Sequence, residues 1–306
     1  MEASAQVIYN VPYVIPMAYF IAIYFYITGL SMGFYTTSVV AVLMGKQEWK
    51  PIGKIGAVGA LIVFATAPLF LLFDLTQMLR FWHLFPFLNF RSAVTWGAFF
   101  LTAYPPIGLV YAWYVLKENY HPAKIWGLFG LPIAVSVHGY TGFSLALEKG
   151  RAFWNTSLNP ILFLVSAMVS GLALIIIIGH IRCRYFAKNQ NEEQKAADLR
   201  IINTLVTMMY LFLIVELFLM ASDLTVLANS KAEEYLTYQL LTQGKLAPLF
   251  LGVELTLGGV IPLILLSIKR IRLHPIGQCT ACAFILCGIL AMRILIVLGG
   301  QSVMLH

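Results

Sequence analysis

Long apolar runs alternate with short polar ones along this chain. Eight of the apolar runs are long enough to cross about 30 Å of hydrocarbon, which takes roughly 20 helical residues. They fall at 14–43, 53–75, 93–116, 124–147, 158–181, 199–227, 246–268 and 276–300. Hydrocarbon offers backbone groups no hydrogen-bond partner, so each run is predicted to be a helix. The polar stretches between them are mostly short, which makes successive helices antiparallel neighbours. One stretch, RCRYFAKNQNEEQKAADLR (182–200), reads as a linker. It separates residues 1–181, with five spans, from residues 201–306, with three. The expected fold is an all-α integral membrane protein whose eight transmembrane helices form two four-helix bundles.

Composition sharpens that picture. Of 306 residues, 60% are hydrophobic and 11% charged, and the mean hydropathy is +0.84. Soluble domains carry about a quarter charged residues. A formal charge of +7 would point to nucleic acid in a soluble protein. Here the Lys and Arg residues lie in loops and act as topology signals, so the bilayer is the expected partner and nucleic acid is not. Loops 1–2, 3–4, 5–6 and 7–8 hold 13 of the 20, the opposite loops hold six, and Arg293 lies inside a span. The richer loops are therefore expected in the cytoplasm and both termini outside. The N-terminus MEASAQVIYN has neither a basic region nor a small-residue cleavage site, so no cleaved leader is expected.

Polar residues inside the spans are the next signal. Asp74 ends the second span, His138 and Tyr140 lie in the outer half of the fourth, Glu216 and Asp223 in the sixth, Glu254 in the seventh and Arg293 in the eighth. An ionisable group in hydrocarbon costs at least ~2.5–3.5 kcal/mol and normally faces a bundle interior, a cavity or a partner charge. Two readings stay open. Arg293 neutralises a glutamate in a buried pair, or Asp74, Glu216, Asp223, Glu254 and Arg293 are proton-handling groups around a pocket that opens outward. The stretch SVHGYTGFSLAL (136–147) adds Gly139 and Gly142, which let a backbone or ring approach the helix closely. Tyr140 can donate its hydroxyl while its ring packs on an apolar partner. His138, two residues away on roughly the opposite helix face, is either functional or a packed histidine bonded to a neighbouring helix.

Ligand classes narrow quickly. His83, His121, His274 and His306 lie in loops or at the terminus, and His180 sits at a helix end. His138 alone cannot make a bis-histidine haem site. Cys279 and Cys282 form a CxxC, but Cys183 and Cys287 supply no second close pair, so no metal site is expected. A lipid-soluble organic ligand remains. A quinone suits, with its tail among the helices and its headgroup held by Tyr, His or Asn.

Read in order, several stretches carry a resemblance: IYFYITGLSMGFY (23–35), LFDLTQMLRFWHLFPFLNFRSAVTWG (72–97), HGYTGFSLALEKGRAFWNTSLNPILFLVSAMVSGLAL (138–174), GVELTLGGVIPLIL (252–265) and GILAMRILIVLGGQ (288–301). Together they resemble the NrfD/PsrC family, membrane anchors of polysulfide, thiosulfate and nitrite reductase-type complexes. The resemblance implies an eight-helix subunit without haem or metal, in a prokaryotic cytoplasmic (inner) membrane with its termini on the periplasmic side. It implies a menaquinone-type quinone as substrate, with the headgroup near the non-cytoplasmic surface. A ferredoxin-like iron–sulfur subunit would dock there and connect to a molybdopterin or other catalytic subunit. The family's headgroup tyrosine falls on Tyr140, and the acid and arginine at the exit of helix 2 fall on Asp74 and Arg80. The polar positions at the entrance to helix 1 fall on Asn10 and Tyr13.

Residues 76–92 are rich in aromatics and carry Arg80, His83 and Arg91. They read either as an interfacial belt or as the docking surface for the iron–sulfur subunit, with His83 and Arg91 as contacts. Two functions from different classes stay open. One is a quinone-reactive electron-transfer subunit. The other is a proton-translocating or transporter-like subunit whose buried Glu and Arg residues carry protons.

Overall fold

The computed structural model describes residues 19–74, 81–83, 85–86, 88–151, 153–185, 191–230 and 232–302; among them there are helices and turns and no strands. The spans are α1 (Tyr19–Met44), α2 (Lys50–Asp74), α3 (Ala93–Leu116), α4 (Tyr120–Ala146), α5 (Leu158–Tyr185), α6 (Glu192–Ala228), α8 (Pro248–Ser267) and α10 (Pro275–Ser302). Two shorter helices, α7 (Ala232–Thr242) and α9 (Lys269–Arg272), sit in the connections. The eight long helices meet the length and apolarity that a membrane crossing demands. This is an all-α, multi-pass integral membrane protein.

The apolar runs place the helices to within a few residues, and α3 coincides with its run. The larger differences lie where helices extend beyond hydrocarbon. Residues 182–185 continue α5, and α6 begins at Glu192, so much of the expected linker is helical. A hydrophobic window cannot see such polar extensions, nor the short amphipathic α7.

Packing follows from which helices are apolar on every side. α1, α5 and α10 are mostly buried, while α2, α3 and α6 turn most of their surface outward. α1 packs on α2 and α4, and α3 on α4 and α2. On the other side α5 packs on α6 and α10, and α10 on α8. α1 and α5 form the seam between the two groups, and they meet backbone to backbone. A Cβ on Gly33 would lie 2.5 Å from the Ala167 carbonyl oxygen and 2.8 Å from Gly171 Cα.

Hydroxyls lock α1 to its neighbours at intervals of seven residues. Ser31 donates to the Ala60 carbonyl (2.8 Å) and meets the Tyr104 hydroxyl (2.9 Å). Ser38 repeats the arrangement with the Gly53 carbonyl (2.6 Å) and Tyr111 (2.8 Å). Both contacts advance in the same direction along α1 and α3, so these helices run parallel, as alternate spans must. Such interhelical hydrogen bonds replace the apolar driving force that lipid removes.

The first part of α8, Pro248–Val260, is a π-helix. Its wider turn shows in the Ile261 N–H, which donates to the Thr256 carbonyl five residues back. Segments of this kind cluster at functional sites, and this one carries Glu254.

Candidate functional site

The polar residues singled out by the sequence separate into three neighbourhoods. The first centres on Tyr140. Its ring lies against α3 at Gly97, where any Cβ would collide with ring atoms. Its hydroxyl meets the hydroxyl of Tyr24 on α1 at 2.5 Å, and Tyr24 is fully buried. Of two facing hydroxyls only one proton can lie between them. The pair therefore keeps one O–H that no described group accepts. Tyr140 also lines a cleft of ≈ 390 Å³ with Trp96, Phe100, Gly139, Phe143 and Leu164, and Arg91 stands among its lining residues. That volume falls within the roughly 300–1,000 Å³ of small-molecule sites, as do its apolar walls and sparse polar groups.

His138 belongs to a second, wholly interior neighbourhood. It is 0% exposed. Its Nδ1 lies 3.2 Å from the Thr28 hydroxyl, which itself donates to the Phe25 carbonyl at 3.0 Å. The Phe163 carbonyl lies 3.0 Å from Nε2 and can only accept, which assigns the imidazole proton to Nε2 and leaves Nδ1 to share the Thr28 proton. Arg293 Nη2 lies 3.4 Å from Nε2. The same Nη2 donates to the Phe163 carbonyl (3.2 Å) and to the Ser166 hydroxyl. The guanidinium also lies over the Phe163 ring, 3.8 Å from its centroid. The opposed faces of His138 and Tyr140 expected from their spacing are seen here, with Tyr140 turned to the cleft and His138 to the core.

The pairing of Arg293 with a glutamate does not occur. The ion pairs among the described residues are Lys50–Glu118, Lys54–Glu118, Arg182–Asp198 and Lys195–Glu192. Among the described residues Arg293 Nε and Nη1 have no hydrogen-bond partner, and neither does Glu216 Oε2. The reason is reach: the α5 carbonyl, hydroxyl and ring capture Nη2 and hold the guanidinium on the α4–α5 side.

The carboxylates form the third neighbourhood. Glu216 and Glu254 line one cavity of ≈ 20 Å³ between α6, α8 and α10. Glu254 also lines the next, of ≈ 30 Å³, together with Asp223 and Asn159. Each has space for a single water or two, so Glu254 stands between two small, mostly apolar cavities.

The remaining candidates divide by position. Asp74 ends α2, half-buried, beside the first turn of α1, where Phe20 packs on Phe70 and Phe73. It is not among the described residues lining the Tyr140 cleft. His83 packs edge-on against Trp82, and Phe81, Trp82, Phe85 and Phe90 are exposed. Asn10, Tyr13 and Arg80 lie outside the described residues. Tyr24, Thr28, Phe163 and Ser166 are neighbours of these candidates that the sequence did not single out. Their signal was present in part: Tyr24 and Thr28 share one face of α1, four residues apart.

Similarity to known proteins is an independent observation. The family model described as "Polysulphide reductase, NrfD" matches residues 9–304. A polysulfide reductase component of Wolinella succinogenes is 30% identical over 305 residues, covering 92% of this protein and 93% of the relative. A selenate reductase component of Mesobacillus selenatarsenatis is 25% identical, over 82% of this protein and 66% of the relative. An Hdr-like menaquinol oxidoreductase integral membrane subunit of Archaeoglobus fulgidus is 26% identical, over 49% of this protein and 38% of the relative.

Proposed function

This chain belongs to the polysulphide reductase NrfD family, and from that premise we propose that it is the membrane anchor and quinone-reactive subunit of a respiratory oxidoreductase. The observation that carries the reading is Tyr140 at the wall of the apolar cleft, its hydroxyl paired with that of Tyr24. A quinone carbonyl is an acceptor without a proton, and it suits a donor whose ring already packs the wall. The cleft fits such a substrate, with aromatic sides for a flat ring and exposed Phe90, Trp96 and Phe143 around it to meet an isoprenoid tail. Electrons pass to or from a ferredoxin-like iron–sulfur subunit at the end of the bundle that carries the α2–α3 loop. In the membrane of a prokaryote, this end faces the periplasm by the positive-inside rule.

In the purified complex, Tyr140→Phe is expected to raise the quinone concentration for half-maximal turnover about threefold to tenfold. It removes the hydrogen bond to the quinone, a contribution of roughly 0.5–1.5 kcal/mol, together with the contact to Tyr24, and leaves the ring on Gly97. Unchanged kinetics across quinone concentrations would remove Tyr140 from the site.

Arg91 is exposed at the cleft, and among the described residues it bonds only through its backbone, to Asn89 Oδ1 at 3.1 Å. Its side chain is free to meet an acidic partner. Arg91→Glu is expected to lower the stoichiometry of the iron–sulfur subunit in detergent-purified complex, more so as salt rises. Normal stoichiometry at all ionic strengths makes the aromatic loop a membrane belt instead.

A second reading draws on Glu254, which lines two small cavities, one shared with Asp223 and one with Glu216. A water-linked path from Asp223 past Glu254 to Glu216 would carry protons part-way across the bundle. Quinol turnover by the complex in liposomes separates the two readings. Net proton displacement beyond the two protons per quinol supports translocation, and its absence supports electron transfer alone.

A further inference from the structure

A second cavity, of ≈ 160 Å³, lies at the opposite end of the bundle from Tyr140, between the α1–α2 turn and the first turn of α4. Buried Trp49 lines it together with Lys46, Lys50, Lys124, Tyr120 and Gly45. The backbone reaches this shape through Gly45, whose φ of +67° suits glycine, and which brings Lys124 Nζ to 3.9 Å from where a Cβ would stand.

Charge in the cavity is unbalanced. No carboxylate is among its described lining residues. The acid beside it, Glu118, is bonded to Lys50 at 3.2 Å and Lys54 at 2.8 Å, and these lysines hold its carboxyl below the usual carboxylate range. Glu48 lines the neighbouring cleft with Glu118 and Asp198 instead. Lys46 and Lys124 have no ion-pair partner among the described residues. Lys50 Nζ sits 5.1 Å over the Tyr120 ring, and the Tyr120 hydroxyl is buried without a partner.

Topology alone requires positive charge at this end, but not lysines gathered around one cavity with a spare O–H. Like charges brought together repel unless an anion is shared between them. Lysine ammonium groups with a hydroxyl donor match the oxygens of a phosphate. The setting favours one source of it. Leu43, Met44, Ile125 and Leu128 are 40–58% exposed at the same ends of α1 and α4. An apolar surface adjoining a basic cavity suits acyl chains attached to the phosphate. We propose that this cavity binds the phosphodiester of an anionic phospholipid, with Lys46, Lys124 and the Tyr120 hydroxyl as ligands.

The test is native mass spectrometry of the delipidated full-length protein. It is titrated with dioleoyl-phosphatidylglycerol, with the zwitterionic phosphatidylcholine of the same acyl composition, and with inorganic phosphate as competitor. Phosphatidylglycerol is expected to bind more tightly than phosphatidylcholine and to resist displacement by phosphate. A lysine near an anionic headgroup contributes roughly fivefold in affinity, so Lys46→Gln/Lys124→Gln should weaken it about 25-fold. Tyr120→Phe should weaken it about threefold, as one hydrogen bond allows, and it keeps the fold even if the double variant does not. Lys269→Gln/Arg270→Gln, at the same end but away from the cavity, should leave binding unchanged. Equal binding of both lipids, or wild-type affinity in both cavity variants, overturns the site. Displacement of the lipid by inorganic phosphate overturns the lipid assignment and makes the site one for free phosphate.

Discussion

Gly139→Leu is expected to abolish most quinone binding and quinol-linked turnover while the complex still assembles. The position allows this separation because Gly139 is, among the described residues, the one lining the cleft without a side chain. A Cβ there would meet nothing nearer than Leu164 Cδ2 at 3.8 Å, an ordinary contact. The remaining carbons of leucine then have the cleft itself to occupy. Gly142, three residues on, is the contrast: its Cβ would strike Pro160 Cα at 2.8 Å, so α4 and α5 truly depend on that glycine. Competition between a fixed side chain and a ring for the same volume costs what overpacking does, typically 1–3 kcal/mol. With 1.4 kcal/mol per tenfold, the apparent affinity should fall roughly 30-fold. Gly139→Ala, a single methyl at ordinary contact distance, should lose far less. The measurement pairs quinone extracted per mole of complex with turnover across quinol concentrations. If Gly139→Leu retains wild-type quinone and turnover, the cleft beside Tyr140 is not where the substrate sits.

The helices were legible in the sequence because lipid imposes a single rule on them, that about 20 apolar residues make a span. The rule stops at the membrane surface. It therefore missed the polar first turns of α6, from Glu192, and the whole of α7. Site residues were legible where a polar group stood alone in hydrocarbon, as with Tyr140, His138, Glu254 and Arg293. Their partners were not. Nothing in the order of residues says that Tyr24 lies against Tyr140, 116 positions away. The same holds for Arg293, whose charge is met by a carbonyl, a hydroxyl and a ring of α5 instead of a carboxylate. The serine and the carbonyl that hold Arg293 have no charge to announce them. Asp74 shows the converse. It is conspicuous in sequence at the end of a span, yet it stands by the first turn of α1 and not at the cleft.

Gly33→Leu is expected to cost the protein its fold, and with it every site described above. The α1–α5 seam has no spare distance. The Gly33 Cβ would press on the Ala167 carbonyl oxygen and on Gly171, and a Cβ on Gly171 would reciprocally stand 2.5 Å from Gly33 Cα. Both obstacles are backbone, which cannot swing aside as a side chain does. To admit leucine the two helices must part. That parting breaks more than packing. Thr28 and Tyr24 lie on α1 near this seam, Phe163 and Ser166 lie on α5, and His138 and Arg293 are bonded between them. Separation would leave buried donors unpaired, at about 1–3 kcal/mol each, in addition to the overpacking itself. The sum approaches the whole of a marginal stability of roughly 5–15 kcal/mol. Folded protein recovered from membranes, measured as the monodisperse peak of a fluorescent fusion in detergent, should drop by more than about tenfold. Gly179→Ala, on α5, provides the control, since its Cβ would meet Ile202 at 3.4 Å and the flexible tip of that side chain can yield. Recovery of Gly33→Leu at the level of Gly179→Ala would mean that α1 and α5 do not pack through their glycines, and the arrangement of Tyr24, Thr28, His138 and Arg293 would fall with that seam.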